Sequence, residues 1–196
     1  MNINTKDLSI VILISVAGLI YITLVNPLRA LCAGIPCSRY VFSFGNMILI
    51  SLALLLYRGK RWRFLLQGIL IALLTLPLNG GSINFTIISG GALIIVNSLH
   101  GDIIFNSFYD FFKSRKKLKL WAIISTTQFY LMAIVLNIIN FYLFFSTIEL
   151  LAYFNSLLLI VPIVIIECYL GAEIGFRVFQ RIKIQESLDH KQFQQS

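Results

Sequence analysis

Charged residues are scarce in this chain of 196 residues. Lys and Arg number 16 and Asp and Glu number 8, so only 12% of the residues carry a charge. A soluble globular domain has about 25% charged residues, because its surface has to be wetted by water. Apolar residues make up 58% of the chain, and they come in blocks of about twenty, the length that crosses a bilayer core. The composition excludes a soluble globule and indicates an integral membrane protein.

Several motifs of enzymes and ATPases are also missing. The sequence has no Walker A motif, no G-x-S-x-G, no H-E-x-x-H and no pair of carboxylates typical of a glycosidase. We therefore predict no catalytic residue, no metal site and no cofactor. Any active transport would draw its energy from an ion gradient or from another subunit. The first apolar block is too long for the core of a cleavable signal peptide, so we expect it to remain as a helix.

The apolar blocks predict an all-α fold, a single domain built as a bundle of six transmembrane helices. The approximate helix bounds are 8–26, 41–57, 64–78, 83–108, 120–145 and 150–175, and a charged tail follows over 176–196. The first helix is expected to end at Pro27, because a proline removes a backbone hydrogen bond of the helix. Residues 79–82, Asn-Gly-Gly-Ser, are a turn signal.

Lys and Arg are distributed unevenly between the connections. The second and fourth connections hold four and five of them and the tail holds four, whereas the first connection has two and the third and fifth have none. Because cytoplasmic loops carry the excess of Lys and Arg, we predict a multi-pass protein of the cell membrane with both termini in the cytoplasm. The net charge of +8 then reflects loops that face anionic lipid, and no nucleic-acid partner is predicted.

Polar side chains within the predicted helices form two layers at different depths. Such side chains are costly in lipid and usually face the interior of a bundle or a water-filled cavity. The layer toward the predicted outside is uncharged and rich in amides, which suits an uncharged or zwitterionic small molecule. The candidate substrate-binding residues are Tyr40, Asn46, Asn84, Asn137, Asn140 and Asn155. The alternative is hydrogen bonding between helices, worth about 0.6 kcal/mol per contact.

The layer toward the predicted cytoplasmic side contains the ionisable residues. Its members are Gln67, Asn97, His100, Asp102, Gln128 and Glu167. A structural hydrogen-bond cluster or a docking surface is one interpretation. An intramembrane enzyme or an ion-coupled transporter that uses His100, Asp102 and Glu167 is another, and it requires these three side chains to converge. Gly171 and Gly175 follow Glu167 at i+4 and i+8 and predict a close helix contact, either internal or with a partner.

The first outward connection, Pro27–Tyr40, is the only long one, and it holds Cys32 and Cys37. Its predicted extracellular location is compatible with a disulfide between these two cysteines if the cell is bacterial or archaeal. Cys168 lies within the sixth predicted helix, where we expect an inert thiol.

With these features the chain resembles the substrate-binding S component of an energy-coupling-factor (ECF) vitamin transporter, in its thiamine-precursor-like branch. The length, the six helices, the cytoplasmic termini and the long connection Pro27–Tyr40 carry the resemblance. The stretch from Gly90-Gly91-Ala92 through Gly101-Asp102, which enters the basic connection Tyr109–Lys119, adds to it. The family commonly has two alanines spaced by four residues on its first helix, and this chain has Ser15, Ala17 and Gly18 there instead.

The resemblance implies a binding subunit that takes up a vitamin or its precursor from outside the cell. It also implies a membrane coupling subunit and cytoplasmic ATPases as partners, and no enzymatic activity of the chain itself. The main alternative is an accessory or assembly subunit of a membrane complex without a small ligand. That alternative predicts a tightly packed bundle with no cavity open to the outside.

Overall fold

A computed structural model describes residues 4–31, 43–78, 85–144 and 146–193 of the chain. The described residues are all-helical and form six helices. These are α1 (Thr5–Leu31), α2 (Phe44–Tyr57), α3 (Arg63–Leu78), α4 (Phe85–Ser114), α5 (Leu118–Phe144) and α6 (Thr147–Phe193). The all-α prediction is confirmed for this part of the chain.

Three of these helices are long and apolar enough to cross a membrane. They are the segments Thr5–Val25 of α1, Leu118–Phe144 of α5 and Leu150–Lys183 of α6. The helix α2 has 14 residues and is about 21 Å long at a rise of 1.5 Å per residue, which is shorter than a bilayer core of about 30 Å. The structure therefore supports a membrane protein, and a crossing by all six helices stays a prediction.

Three helices extend further than the sequence predicts, and one of them is α4, which continues to Ser114 instead of ending near residue 108. The helix α1 continues past Pro27 to Leu31, because a proline removes a single backbone hydrogen bond while the bonds around it can still form. The helix α6 has 47 residues and includes Pro162. It therefore runs through most of the segment 176–196 that the sequence separates as a tail.

The six helices pack in a closed ring. Going around it, the order is α1, α2, α6, α5, α4 and α3, and α3 packs against α1 again. The helix α2 also contacts α3 and α5 across the ring. Chain direction alternates along the sequence, so every helix has one end at each end of the bundle. We call the end with the connections 58–62 and 115–117 the basic end, and the other the opposite end.

The helices α2 and α6 approach each other closely. A Cβ atom added at Gly171 would lie 2.8 Å from the Cβ atom of Met47 and 3.2 Å from the backbone nitrogen of Ile48. At Gly175 it would lie 2.9 Å from the Oγ atom of Ser51. The small residues let the backbones approach closely. The small-residue stripe after Glu167 is therefore an internal contact with α2.

The hydrophobic core lies mainly in the half of the bundle at the basic end. Its buried members come from the ends of all six helices that meet there. They include Val11, Leu55, Phe64, Phe105, Tyr109, Trp121 and Phe179. Tyr109 and Trp121 pack edge to face, with ring centroids 5.2 Å apart. This half of the bundle is densely filled by large side chains.

Candidate functional site

A cavity of about 480 Å³ lies between α1, α2, α3, α4 and α5. This volume is in the range typical of small-molecule sites, about 300–1,000 Å³. The cavity extends from the level of Ser43 and Asn137, near the opposite end, to Phe64 and Gln67, where the core of the basic end begins. The cavity is therefore confined mainly to one half of the bundle.

The helix α6 has no residue among the described lining of the cavity. A second apolar cluster explains why. Met47 of α2 and Tyr130 and Ile134 of α5 pack there against Ile160 and Val164 of α6. Tyr130 also lines the cavity, so this cluster adjoins the cavity on the side of α6. The contact among α2, α5 and α6 thus fills one side of the bundle, and the cavity occupies the other.

The part of the cavity near the opposite end, which we call its outer part, contains two of the predicted substrate-binding residues. Asn46 of α2 and Asn137 of α5 both line it, together with Ser43 and Thr75. The Nδ2 atom of Asn137 donates a hydrogen bond of 2.8 Å to the carbonyl oxygen of Ala133 in its own helix. This bond uses one donor of the amide and orients the side chain.

The other predicted substrate-binding residues lie elsewhere. Asn140 is half-buried and is not among the described lining residues, and Asn155 is exposed on the surface of α6. The i, i+3 spacing of Asn137 and Asn140 therefore does not bring both amides to the described cavity wall. Tyr40 lies outside the described residues, as does Asn84. The predicted pair Cys32 and Cys37 is also outside them.

The part of the cavity next to the core of the basic end, which we call its inner part, has several polar side chains. Two of them belong to the layer of ionisable residues that the sequence predicts. Gln67, Asn97 and Ser98 line the cavity and are each about 95% buried. The hydroxyl of Tyr57 donates a hydrogen bond of 2.7 Å to Oε1 of Gln67. Asn97 Nδ2 donates a 3.3 Å bond to the carbonyl oxygen of Phe129. The sequence grouped Gln67 and Asn97 with the polar residues toward the predicted cytoplasmic side and did not predict that they line this cavity.

Glycines and aromatic residues complete the lining, and the sequence analysis did not predict any of them as site residues, although Gly18 and Gly91 were named for the family resemblance. Gly18, Gly68 and Gly91 leave room at the wall. At Gly68 the side chain of Ser98 occupies the position that a Cβ atom would take. Phe64 and Phe129 lie at the inner end with their ring planes at 90° and their centroids 5.2 Å apart. Their signal in the sequence is weak, because aromatic residues are common throughout these helices.

Asp102 has a structural partner close to the cavity. Its carboxylate accepts hydrogen bonds from the backbone N–H of Leu65, in the first turn of α3, and from Nδ2 of Asn106 at 2.8 Å. The first turn of a helix has backbone N–H groups without partners in the helix, and a carboxylate satisfies them. Asp102 therefore caps α3 from the neighbouring helix α4.

The three ionisable residues of the enzyme and ion-transport alternatives do not share a site. His100 and Asp102 are on α4 and Glu167 is on α6, and α5 separates these helices in the ring. The ring of His100 packs against Phe105. Among the described residues, no group of three His, Cys, Asp or Glu side chains is placed to hold a metal ion. The convergence that these alternatives require is not found in this part of the chain.

Charged pairs cluster at the basic end. Asp7 of α1 accepts a hydrogen bond from Lys60 at 2.9 Å and one from Arg63 at 2.7 Å, which ties the start of α1 to the connection between α2 and α3 and to the start of α3. Glu173 of α6 pairs with Lys119 of α5 and with Arg177 one turn away. These contacts join helix ends outside the cavity, so no charged side chain is present among the described residues that line it.

The small residues of α1 face the interior rather than the surface. Ser15 is buried and its hydroxyl donates to the carbonyl oxygen of Val11, and Gly18 lines the cavity. The exposed face of α1 consists of large apolar side chains such as Leu13 and Leu24. Ser15 and Gly18, which lie where the family commonly has alanines, thus contribute to the bundle interior.

Similarity to known proteins adds nothing to this geometry. No family model, curated protein or solved structure matches the chain.

Proposed function

We propose that this chain is the membrane-embedded, substrate-binding subunit of an uptake transporter for a vitamin or vitamin precursor, energised by separate ATPase subunits. The observation that carries the proposal is the cavity between five helices, which ends at the packed core of the basic end. A binding subunit needs a site that is accessible from one side and blocked on the other. An accessory subunit or an assembly factor needs no such cavity.

In this proposal all six helices cross the membrane and the basic end faces the cytoplasm. The excess of Lys and Arg in the connections at that end supports the orientation. The cavity would then face outward, as uptake requires. The short helices α2 and α3 would be accommodated by local thinning of the bilayer, which costs a fraction of a kcal/mol per Å of mismatch.

The lining is consistent with a ligand that is mainly uncharged. Apolar and aromatic side chains form most of the wall, and amides and hydroxyls are interspersed at the two ends. Small-molecule sites typically combine such an apolar wall with a few polar groups that fix the orientation of the ligand. The chain has no ATP-binding motif, so partner subunits would supply the energy.

The proposal is tested with protein purified from its native membrane. After denaturation, we expect mass spectrometry to find one small molecule in an amount close to one per chain. We also expect a membrane coupling protein and ATPases to co-purify, and their ATP hydrolysis to increase when that molecule is added.

A matched preparation of Asn137→Leu is the control for the cavity, and we expect it to release much less of the small molecule. Recovery of the wild-type chain without any bound molecule and without ATPase activity would overturn the proposal. An equal amount of the molecule from both preparations would locate its site outside the cavity.

A further inference from the structure

The inner end of the cavity presents a hydrogen-bond donor with a fixed orientation. The amide oxygen of Gln67 is engaged by the hydroxyl of Tyr57 at 2.7 Å. This bond determines which side of the amide faces away from Tyr57, and that side is the Nε2 group. Gln67 lines the cavity, and its Nε2 group makes no hydrogen bond to a described residue. A ligand carbonyl at the inner end would accept from it.

A hydrogen-bond acceptor lies on the neighbouring helix. Asn97 lines the cavity and is 5% exposed. Its Oδ1 atom is buried and accepts no hydrogen bond in the described structure. A buried polar atom without a partner costs about 1–3 kcal/mol. A ligand N–H group that reaches this oxygen would satisfy it, and the soft terminal torsion of asparagine allows the amide to adjust to such a ligand.

Charge is disfavoured at this position. The described lining contains no acidic or basic side chain, and a charged group without a partner is costly to bury. Asp102 is the carboxylate beside the inner end, but it already accepts from Leu65 and Asn106. A cationic ligand would therefore have to compete for it with the first turn of α3.

The shape of the inner end favours a flat ring. Phe64 and Phe129 meet edge to face there, with their planes at 90°. An aromatic ring prefers offset-stacked or edge-to-face contacts, and two perpendicular rings offer one face and one edge to a third ring. Gln67 and Asn97 lie beside these rings on α3 and α4.

We infer that the inner end of the cavity binds an uncharged aromatic or heteroaromatic carboxamide, with Gln67 Nε2 donating to its carbonyl oxygen and Asn97 Oδ1 accepting from its N–H group. The inference rests on the proposed function, because it assumes that the cavity is a ligand site. The part of the ligand that reaches Gln67 and Asn97 is then a carboxamide on an aromatic ring.

Four benzene derivatives of similar size test the inference. Benzamide has both the acceptor and the donor, acetophenone has the acceptor alone, benzoate is an anion and benzylamine is a cation at neutral pH. The full-length protein in lipid nanodiscs is titrated with each one, and binding is followed by ligand-observed NMR. We expect benzamide to bind about tenfold more tightly than acetophenone, as for one hydrogen bond of about 1.4 kcal/mol. Benzoate and benzylamine should bind more weakly still.

Substitutions assign each hydrogen bond to its residue. Asn97→Leu should lower the affinity for benzamide to that for acetophenone and leave acetophenone unchanged. Gln67→Leu should weaken the binding of benzamide and of acetophenone by about tenfold each. Tyr57→Phe also removes the hydrogen bond between Tyr57 and Gln67 but keeps the Nε2 donor of Gln67. It should therefore weaken the binding of benzamide by less than about threefold. Melting temperatures of the three variants identify any that fail to fold.

The outcomes separate this inference from the proposed function. The inference is overturned if benzamide does not bind up to its solubility limit, if a charged probe binds equally well, or if Tyr57→Phe and Gln67→Leu have the same effect. A charged molecule that co-purifies in stoichiometric amount would sink the inference and leave the transporter proposal intact. If benzamide binds as expected but no ATPase partner is found, the inference is supported and the transporter proposal is overturned.

Discussion

The carboxylate of Asp102, on α4, accepts a hydrogen bond from the backbone N–H of Leu65 at the start of α3. Asp102 is only 4% exposed, so this contact satisfies a buried carboxylate and an N–H group of the first helical turn at once. It holds α3 and α4 together just below the inner end of the cavity. Asp102, which the enzyme and ion-transport alternatives require, thus has a structural partner in a neighbouring helix.

The first prediction concerns this helix cap. Asp102→Ala removes the acceptor and should lower the free energy of unfolding by about 2–3 kcal/mol, since hydrogen bonds to charged groups contribute about 1.5–3 kcal/mol. Asp102→Asn keeps an acceptor oxygen and should cost about 1 kcal/mol. Both values can be measured by denaturant unfolding in detergent micelles. Equal stability of wild type and Asp102→Ala would contradict the assigned cap.

The second prediction concerns the space between α3 and α4. The side chain of Ser98 occupies the position of a Cβ atom at Gly68, so Gly68→Ala should destabilise the protein by about 1–3 kcal/mol through overpacking. Ser98→Gly removes the overlapping atoms, and combining both changes should recover most of the loss. Thermal unfolding of the four proteins forms a double-mutant cycle.

Gly18→Ala is the matched control for this cycle. The nearest atom to an added Cβ there is Cδ1 of Ile71 at 3.9 Å, an ordinary van der Waals contact. We expect its melting temperature to stay near that of the wild type. A cycle without any coupling between positions 68 and 98 would show that the two helices do not approach as closely as the structure indicates.

The third prediction concerns the contact between α2 and α6. Gly171→Ala places a Cβ atom 3.2 Å from the backbone nitrogen of Ile48, and backbone atoms of a helix cannot move aside as a flexible side chain can. The cost should be about 1–3 kcal/mol of unfolding free energy. Gly91→Ala, with 3.8 Å to the Cβ atom of Ala72, should be tolerated. If both variants are equally stable, α6 does not pack on α2 at Gly171.

The fourth prediction compares two asparagines that the sequence treats alike. Asn137 lines the cavity, whereas Asn155 is exposed on the surface of α6. Asn137→Leu should weaken binding of the co-purified molecule about tenfold or more, as expected for a lost hydrogen bond beside a buried ligand. Asn155→Leu should leave the affinity unchanged. Isothermal titration calorimetry measures the affinity of both variants. A loss of affinity in Asn155→Leu alone would place the site on the surface of α6.

The fifth prediction concerns orientation in the membrane. In a chain with Cys32 and Cys37 replaced by serine, the remaining Cys168 is buried and should not react. With Ser146→Cys, at the opposite end, the chain should then react with a membrane-impermeant maleimide on intact cells. With Lys116→Cys, at the basic end, it should react only after the cells are permeabilised. The reverse pattern would place the cavity on the cytoplasmic side.

The amino-acid sequence by itself determined the class of the protein and the positions of the helices. Apolar blocks with few charges leave little alternative to helices in a membrane, because every backbone polar group must be satisfied within the segment. Each predicted helix overlaps one helix of the structure, and the bounds differ most at the C-terminal ends of α1, α4 and α6. Pro27 does not end α1, because a proline removes only one backbone hydrogen bond of the helix. The length of α6 cannot be read from hydropathy, because its last turns are polar.

Only the tertiary structure decided which polar side chains meet. Depth along a helix is readable from the sequence, but the direction around the helix axis that faces a cavity depends on which helices are neighbours in the ring. Asn46 and Asn137 line the cavity and Asn155 does not, because α6 packs on α2 and α5 through Ile160 and Val164. For the same reason Gln67 and Asn97, from α3 and α4, reach the inner end of the cavity, where the sequence indicated only their depth.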